Sequence, residues 1–253
     1  MTTRLPALCA AVILWSATAQ PASHSILFIG NSLTTANGLP AMVERLGELN
    51  GLHISTRAVA GANLSLEDHW DRGDALREIR RAGWSVVVLQ QGPSALPESR
   101  VSLRRFTRRF ADEVRKGGGK PALYMVWPSR ARFGDFPRVS ESYRLAASDV
   151  RGLLLPAGDA WREAWTRDGA LPLYGPDEFH PSALGSYLAA LVIVQSVTGQ
   201  RVSTHLRLDG KAIELPRLQL LEAAVTAVLD PPGQRERPPL RSSRLRDPHV
   251  ALR

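Results

Sequence analysis

Short apolar runs alternate along this chain with longer stretches in which apolar residues recur every three or four positions. The runs fall at residues 25–30, 52–60, 85–89, 121–127 and 152–156. Runs of that length, bounded by turn formers, read as strands buried on both faces, the form that parallel sheets take. The periodic stretches fall at residues 40–49, 100–116 and 181–199, with a last one from Pro216 through Leu218, Leu221, Val225 and Val228. In the second, Leu103, Phe106, Phe110 and Val114 share one helical side, and Arg104, Arg105, Arg108 and Arg109 the other. That basic side reads as a solvated outer face. Strand and helix alternation predicts βα units around a parallel sheet, an α/β fold in one domain.

The chemistry sits where the runs stop. Ser25-Ile-Leu-Phe-Ile-Gly-Asn-Ser32 is a strand that ends in a sharp turn with a hydroxyl at its tip. In open α/β sheets the ligand crevice lies beyond the carboxyl ends of the strands, which puts Ser32 at the crevice. Gly30-Asn31-Ser32 also reads as plain turn chemistry. Far downstream, Asp177-Glu-Phe-His180 places a carboxylate and an imidazole three residues apart, just before a helix. A serine hydroxyl becomes a nucleophile when a base takes its proton, and the imidazole needs a third group to fix its tautomer. Asp159 competes as that third group, but it stands at a helix start, where a carboxylate already serves as a cap. Asp177 is therefore the preferred acid.

These two blocks, Gly30-Asn31-Ser32 after the first strand and Asp177-x-x-His180 near the end, resemble the SGNH (GDSL-like) hydrolase superfamily in type and order. The resemblance covers roughly residues 25–200 and implies a three-layer α/β/α sandwich of flavodoxin-like topology with about five parallel strands. It implies a Ser32–His180–Asp177 triad, with an oxyanion held by the backbone N–H groups of Ser32 and Gly61. Gly61 also reads as a glycine that only permits a turn. The family's third block is Gly-x-Asn-Asp, whose asparagine donates to the oxyanion; here Gln90-Gln91-Gly92-Pro93 stands instead. Glutamine carries the same amide one methylene further out, and Gln-Gly elements occur in this place in branches that include carbohydrate acetylesterases. Strand alternation sends Gln90 and Gln91 to opposite sides; Gln90 is the preferred donor. Trp127 and Arg130, with Arg132 nearby, follow the fourth strand and are candidates to stack on and hold a sugar, Trp127 reading equally as a rim or core aromatic. His69 reads as a structural or rim residue.

Composition narrows the class. Residues 1–19 combine a basic start at Arg4, an apolar core of about 11 residues and Ala17-Thr18-Ala19, the pattern of a secretory signal peptide. A membrane span needs roughly 20 apolar residues, so cleavage and export to a periplasmic or extracellular location are expected, without stable membrane insertion. The single cysteine, Cys9, lies in that leader, which leaves no thiol for disulfides, cysteine-held metals or a cysteine nucleophile. Of the net charge of +8, the segment from Pro231 carries +4 and Arg4 one more, so the body keeps only +3. A nucleic-acid partner is not expected. Residues 231–253, rich in Pro, Arg and Ser, read as a disordered tail after a hydrolase domain at 20–230. No metal or other cofactor is called for, since no His and carboxylate cluster shows ligand spacing. The expected function is a serine esterase acting on short acyl, most simply acetyl, esters of a carbohydrate. An acyltransferase of the same fold and a non-catalytic carbohydrate-binding module are the rival readings.

Overall fold

The computed structural model describes residues 23–81, 83–202, 207–208 and 211–230. The expected leader and basic tail lie outside the described residues. The chain runs β1 (Ser23–Gly30), α1 (Ser32–Thr35), α2 (Leu39–Leu49), β2 (His53–Ala60), α3 (Leu66–Arg72), α4 (Asp74–Arg80), β3 (Val86–Leu89) and α5 (Pro97–Lys116). It continues with β4 (Lys120–Tyr124), α6 (Phe136–Asp149), β5 (Leu153–Leu155), α7 (Ala157–Arg167), α8 (Ala183–Thr198) and α9 (Leu215–Leu229). The five strands form one sheet in the order β2-β1-β3-β4-β5, every pair parallel. The α/β class, the strand count and the flavodoxin-like order expected from the sequence are all present.

The strands form where apolar runs can be covered on both faces. Ile26 to Ile29 and Val87 to Leu89 are almost wholly excluded from solvent, and Ala122 to Trp127 entirely so. β2 lies at the sheet edge, where buried Leu52, just before it, and Ile54 alternate with exposed His53 and Ser55, the mark of a strand covered on one side. Helices α3 to α6 pack among themselves on one side of the sheet, and α2, α7, α8 and α9 on the other. The α2–α8 and α7–α9 contacts close that second layer.

Helix α8 differs from its expected form. The spacing of Leu184, Leu188, Leu191 and Gln195 suggests one apolar face, yet every residue from Leu184 to Gln195 is buried. A helix apolar all round is one covered all round; here the sheet lies on one side and α2, α7 and α9 on the others. Its start is fixed three times over. Ser182 Oγ caps the Gly185 N–H at 3.1 Å, Trp161 Nε1 donates to the Gly185 carbonyl at 3.2 Å, and a Cβ at Gly185 would collide with the Leu173 carbonyl and the Trp161 ring. His180 stands immediately before this start, so the seat of α8 also sets the height of the imidazole.

The strand order has one functional consequence. β1 leads on to β2 at one side of it and its neighbour β3 leads on to β4 at the other, so the connections leave the carboxyl ends of β1 and β3 in opposite directions and a crevice opens between them. Ser32 follows β1 and Gln90 follows β3. Gly185→Ala should lower stability by about 1–3 kcal/mol through overpacking against backbone that cannot move aside. A fall in the denaturation midpoint at unchanged m-value would show it; an unchanged midpoint would mean that α8 is not seated this way.

Candidate active site

Asn31 stops β1 and starts the single turn of α1. Its Oδ1 accepts the Leu33 N–H at 3.1 Å, the bond of a helix N-cap. Ser32 is the first residue of that turn, where its own N–H has no intrahelical acceptor. Gly30 is needed behind it, because a Cβ there would fall on Thr34 Oγ1 and Gln90 Oε1.

The loop from Tyr174 to Pro181 brings the other two groups. A single bridge pairs Tyr174 with Pro181, and the Gly175 N–H donates to the His180 carbonyl at 2.7 Å, which folds the loop back on itself. Glu178 takes a left-handed backbone at its tip (φ 56°). Asp177 uses Oδ1 to accept the N–H groups of Phe179 and His180, at 3.1 and 2.9 Å, and Oδ2 to accept His180 Nδ1–H at 2.5 Å. With Nδ1 carrying the proton, Nε2 is left as the acceptor, and it lies 2.8 Å from Ser32 Oγ. The structure therefore brings Ser32, His180 and Asp177 into one hydrogen-bonded line from residues 148 apart in sequence. The His180 hydrogen bond, with the backbone N–H of Phe179 behind it, holds the Asp177 carboxyl down to about 2, so it stays ionised at neutral pH.

Asp159 is elsewhere. Its carboxylate accepts from Ser140 Oγ at 3.1 Å and pairs with Arg144 at 2.6 Å. It stands in the first turn of α7 and not at the cap, which is Pro156.

Five expected roles are not what the structure shows. Gln90 is fully buried, and its Oε1 accepts the Asn31 N–H at 2.9 Å and Thr34 Oγ–H at 2.7 Å, while its Nε2 donates to the Gln91 carbonyl. Gln91 reaches the wall of the crevice, but its Nε2 is spent on Ser94 Oγ and the Ser99 carbonyl, at 2.9 and 3.2 Å, and its Oε1 takes the Leu66 N–H. Both carboxamides thus hold the scaffold together instead of facing a substrate. The Gly61 N–H donates to the Gly30 carbonyl at 3.3 Å, because the β1–β2 ladder runs one residue past the strand ends. Trp127 is fully buried, stacked on Trp161 at 3.6 Å, with Nε1 donating to the Phe179 carbonyl at 3.1 Å.

Arg130 is likewise outside the crevice wall. Its N–H donates to the Glu178 carbonyl at 2.8 Å and its side chain pairs with the Glu178 carboxylate at 3.2 Å. Trp127 and Arg130 are braces of the histidine loop. Arg132 does line the crevice, paired with Asp135.

Further residues complete the frame of the site, His69 among them in the structural role expected of it. His69 is buried and its Nε2–H donates to the Gly30 carbonyl at 2.7 Å, two residues before the nucleophile. Tyr143 donates to the Gln91 and Gly92 carbonyls at 2.7 and 3.0 Å, so α6 braces the turn after β3. Asn31 Nδ2 donates to the Leu64 carbonyl at 3.2 Å. Ser32 opens onto a cavity of about 560 Å³ between this turn, the Asn63–Leu64 loop, and Pro128 and Phe179 opposite.

Compared with solved structures, the chain matches a protein from Slackia heliotrinireducens described as an SGNH hydrolase, at 29% identity and TM-score 0.59 over 69% of this chain and 99% of that one. The chain has the fold of the SGNH hydrolases. A DUF4886 family protein from Bacteroides uniformis aligns at 18% identity and TM-score 0.71 over 83% of this chain and 96% of that one. An acetylxylan esterase from Geobacillus stearothermophilus aligns at 15% identity and TM-score 0.57 over 73% of this chain and 99% of that one. These two likenesses speak for the fold alone. Searches by sequence against protein-family models and curated proteins return no match.

Burial pushes the His69 pKa below its ordinary 6.5, outweighing the Gly30 hydrogen bond that favours the charged form. The folded state prefers neutral His69 while the unfolded chain takes up the proton near 6.5, so His69 makes the protein less stable as pH falls below 6.5. His69→Gln keeps an Nε2–H donor and does not titrate. Its stability should fall less steeply than the wild type's between about pH 7 and about pH 5. Parallel denaturation-midpoint curves for the two proteins would contradict this placement of His69.

Proposed function

We propose that this chain is an exported serine esterase that hydrolyses short acyl esters of a carbohydrate, acetyl esters first among them, through an acyl-enzyme. The observation that carries the reading is the line Asp177 Oδ2, His180 Nδ1, His180 Nε2, Ser32 Oγ, with steps of 2.5 and 2.8 Å at its two ends, opening on a cavity beside Ser32. Ser32 Oγ bonds to the ester carbonyl carbon while its proton passes to His180 Nε2 and the carbonyl π pair moves onto oxygen. Asp177 stays ionised, holds Nδ1–H, and balances the imidazolium. The Ser32 N–H, without an intrahelical acceptor, is a donor for the new oxyanion. Collapse of the tetrahedral adduct expels the alcohol, which takes the proton from His180. Water then repeats the sequence on the acyl-enzyme and releases the acid.

Support for the substrate class comes from three sides. The cavity falls within the roughly 300–1,000 Å³ usual for small-molecule sites and exceeds what an acetyl group alone requires. Its lining combines apolar Leu64, Pro93 and Phe179 with polar Ser129, Arg132 and Asp135, a mixture suited to a sugar ring. Among the structures of the same fold is an esterase of acetylated xylan. Residues 1–19 supply the export signal, in keeping with a carbohydrate met outside the cytoplasm.

Acetate release from acetylated xylo-oligosaccharides and from p-nitrophenyl acetate tests the proposal. Ser32→Ala and His180→Ala should each cost about 10⁴-fold or more in kcat, with little further loss in the double variant, because the groups act as a unit. Asp177→Asn should be severely impaired through the wrong imidazole tautomer, and Asp159→Asn should leave kcat near wild type. Additive losses from Ser32→Ala and His180→Ala would sink the shared mechanism. Transfer of acetyl to a sugar hydroxyl without free acetate would assign the chain to acyl transfer.

A further inference from the structure

An oxyanion that forms in a crevice needs more than one donor aimed at it, and the side-chain amides first in line are taken. Gln90 is buried behind the nucleophile turn, and the amide hydrogens of Gln91 go to Ser94 and Ser99. One other carboxamide lies on the cavity wall with Ser32 besides those of Gln91 and Asn31. It belongs to Asn63, an exposed residue in the turn after β2. The Asn31 carboxamide is spent on Leu33 and Leu64, while among the described residues that of Asn63 has no hydrogen-bond partner.

The backbone places Asn63 close to the nucleophile. Residues 61–64 form a turn closed by the Leu64 N–H donating to the Gly61 carbonyl at 3.2 Å. Both ends of the turn are tied to the residues just before Ser32, Gly61 to the Gly30 carbonyl at 3.3 Å and Leu64 to Asn31 Nδ2 at 3.2 Å. Asn63 itself adopts a left-handed backbone, φ 60°, which asparagine tolerates better than most residues. A turn pinned at both ends spares its third residue from any structural bond and turns it toward the cavity that Ser32 shares.

We propose that the Asn63 carboxamide is a side-chain donor to the oxyanion formed when Ser32 adds to the ester, a catalytic residue supplied by the turn after β2 in place of one after β3. This rests on the esterase reading above. As Ser32 Oγ bonds to the carbonyl carbon, the π pair moves to oxygen, and Asn63 Nδ2–H donates to that oxygen without giving up its proton. The Ser32 proton still goes to His180. Because the donor meets charge that exists only in the transition state, its removal should act on kcat and leave KM nearly unchanged.

Asn63→Gly removes the amide and keeps the left-handed turn, since glycine takes positive φ without steric strain. Asn63→Asp keeps shape and backbone but sets a carboxylate against the oxyanion. With p-nitrophenyl acetate, Asn63→Gly should lower kcat by about 10²–10³-fold at a KM within about twofold of wild type and an unchanged melting temperature, and Asn63→Asp should lose at least as much. A trifluoromethyl ketone, which forms a tetrahedral adduct with the serine, should bind Asn63→Gly weaker by the same factor. Wild-type kcat in Asn63→Gly, beside an active wild type and an inactive Ser32→Ala, would overturn the role of Asn63 and leave the esterase reading intact. A wild type that hydrolyses no ester would overturn both.

Discussion

Gln90 Oε1 accepts two hydrogen bonds in a place closed to bulk solvent, from the Asn31 N–H that ends β1 and from the Thr34 hydroxyl inside the turn that follows. The nucleophile lies between these donors. A buried donor left without a partner costs about 1–3 kcal/mol, so the turn has one low-energy position, set by the carboxamide that β3 delivers. The His69 bond to the Gly30 carbonyl fixes the same turn from α3. Ser32 thus projects from a backbone held by two elements with no role in the chemistry, which is what a preorganised nucleophile requires.

The acid and base come on a loop that is held as firmly by different means. Asp177 closes its own turn through two backbone N–H groups before it meets the imidazole, so the Asp177–His180 geometry is local. Trp127 and Arg130 fasten that loop to the end of β4 through the carbonyls of Phe179 and Glu178. The remaining distance, from His180 to Ser32, is set by the seat of α8 against Trp161 and Leu173. Two rigid bodies meet across the crevice between β1 and β3, and the 2.8 Å contact between them is the product of both.

Local features were legible in the sequence, and features that depend on distant partners were not. The central strands showed as apolar runs because both of their faces are covered, and the Asp177-x-x-His180 spacing showed because one turn holds both side chains. The directions of Gln90 and Gln91 were hidden: alternation ends where the strand ends, and the acceptors and donors that claim them lie as far as 59 residues away. Gly61 was misread for a related reason, since nothing local says that the β1–β2 ladder continues past Ala60. A tryptophan beside a crevice loop reads alike as platform or core, and only the Trp161 stack decides for core. The uniform burial of α8 shows the same limit, because the sheet covers one side of it and α2, α7 and α9 cover the others.

If Ser32 is an activated nucleophile, covalent capture reaches it without knowledge of the substrate. Full-length protein treated with a fluorophosphonate should gain the mass of one phosphonyl group. Peptide mapping should place it on Ser32, and labelling should vanish in Ser32→Ala and slow greatly in His180→Ala. A folded wild type that remains unlabelled, or that is labelled at a residue other than Ser32, would contradict the account.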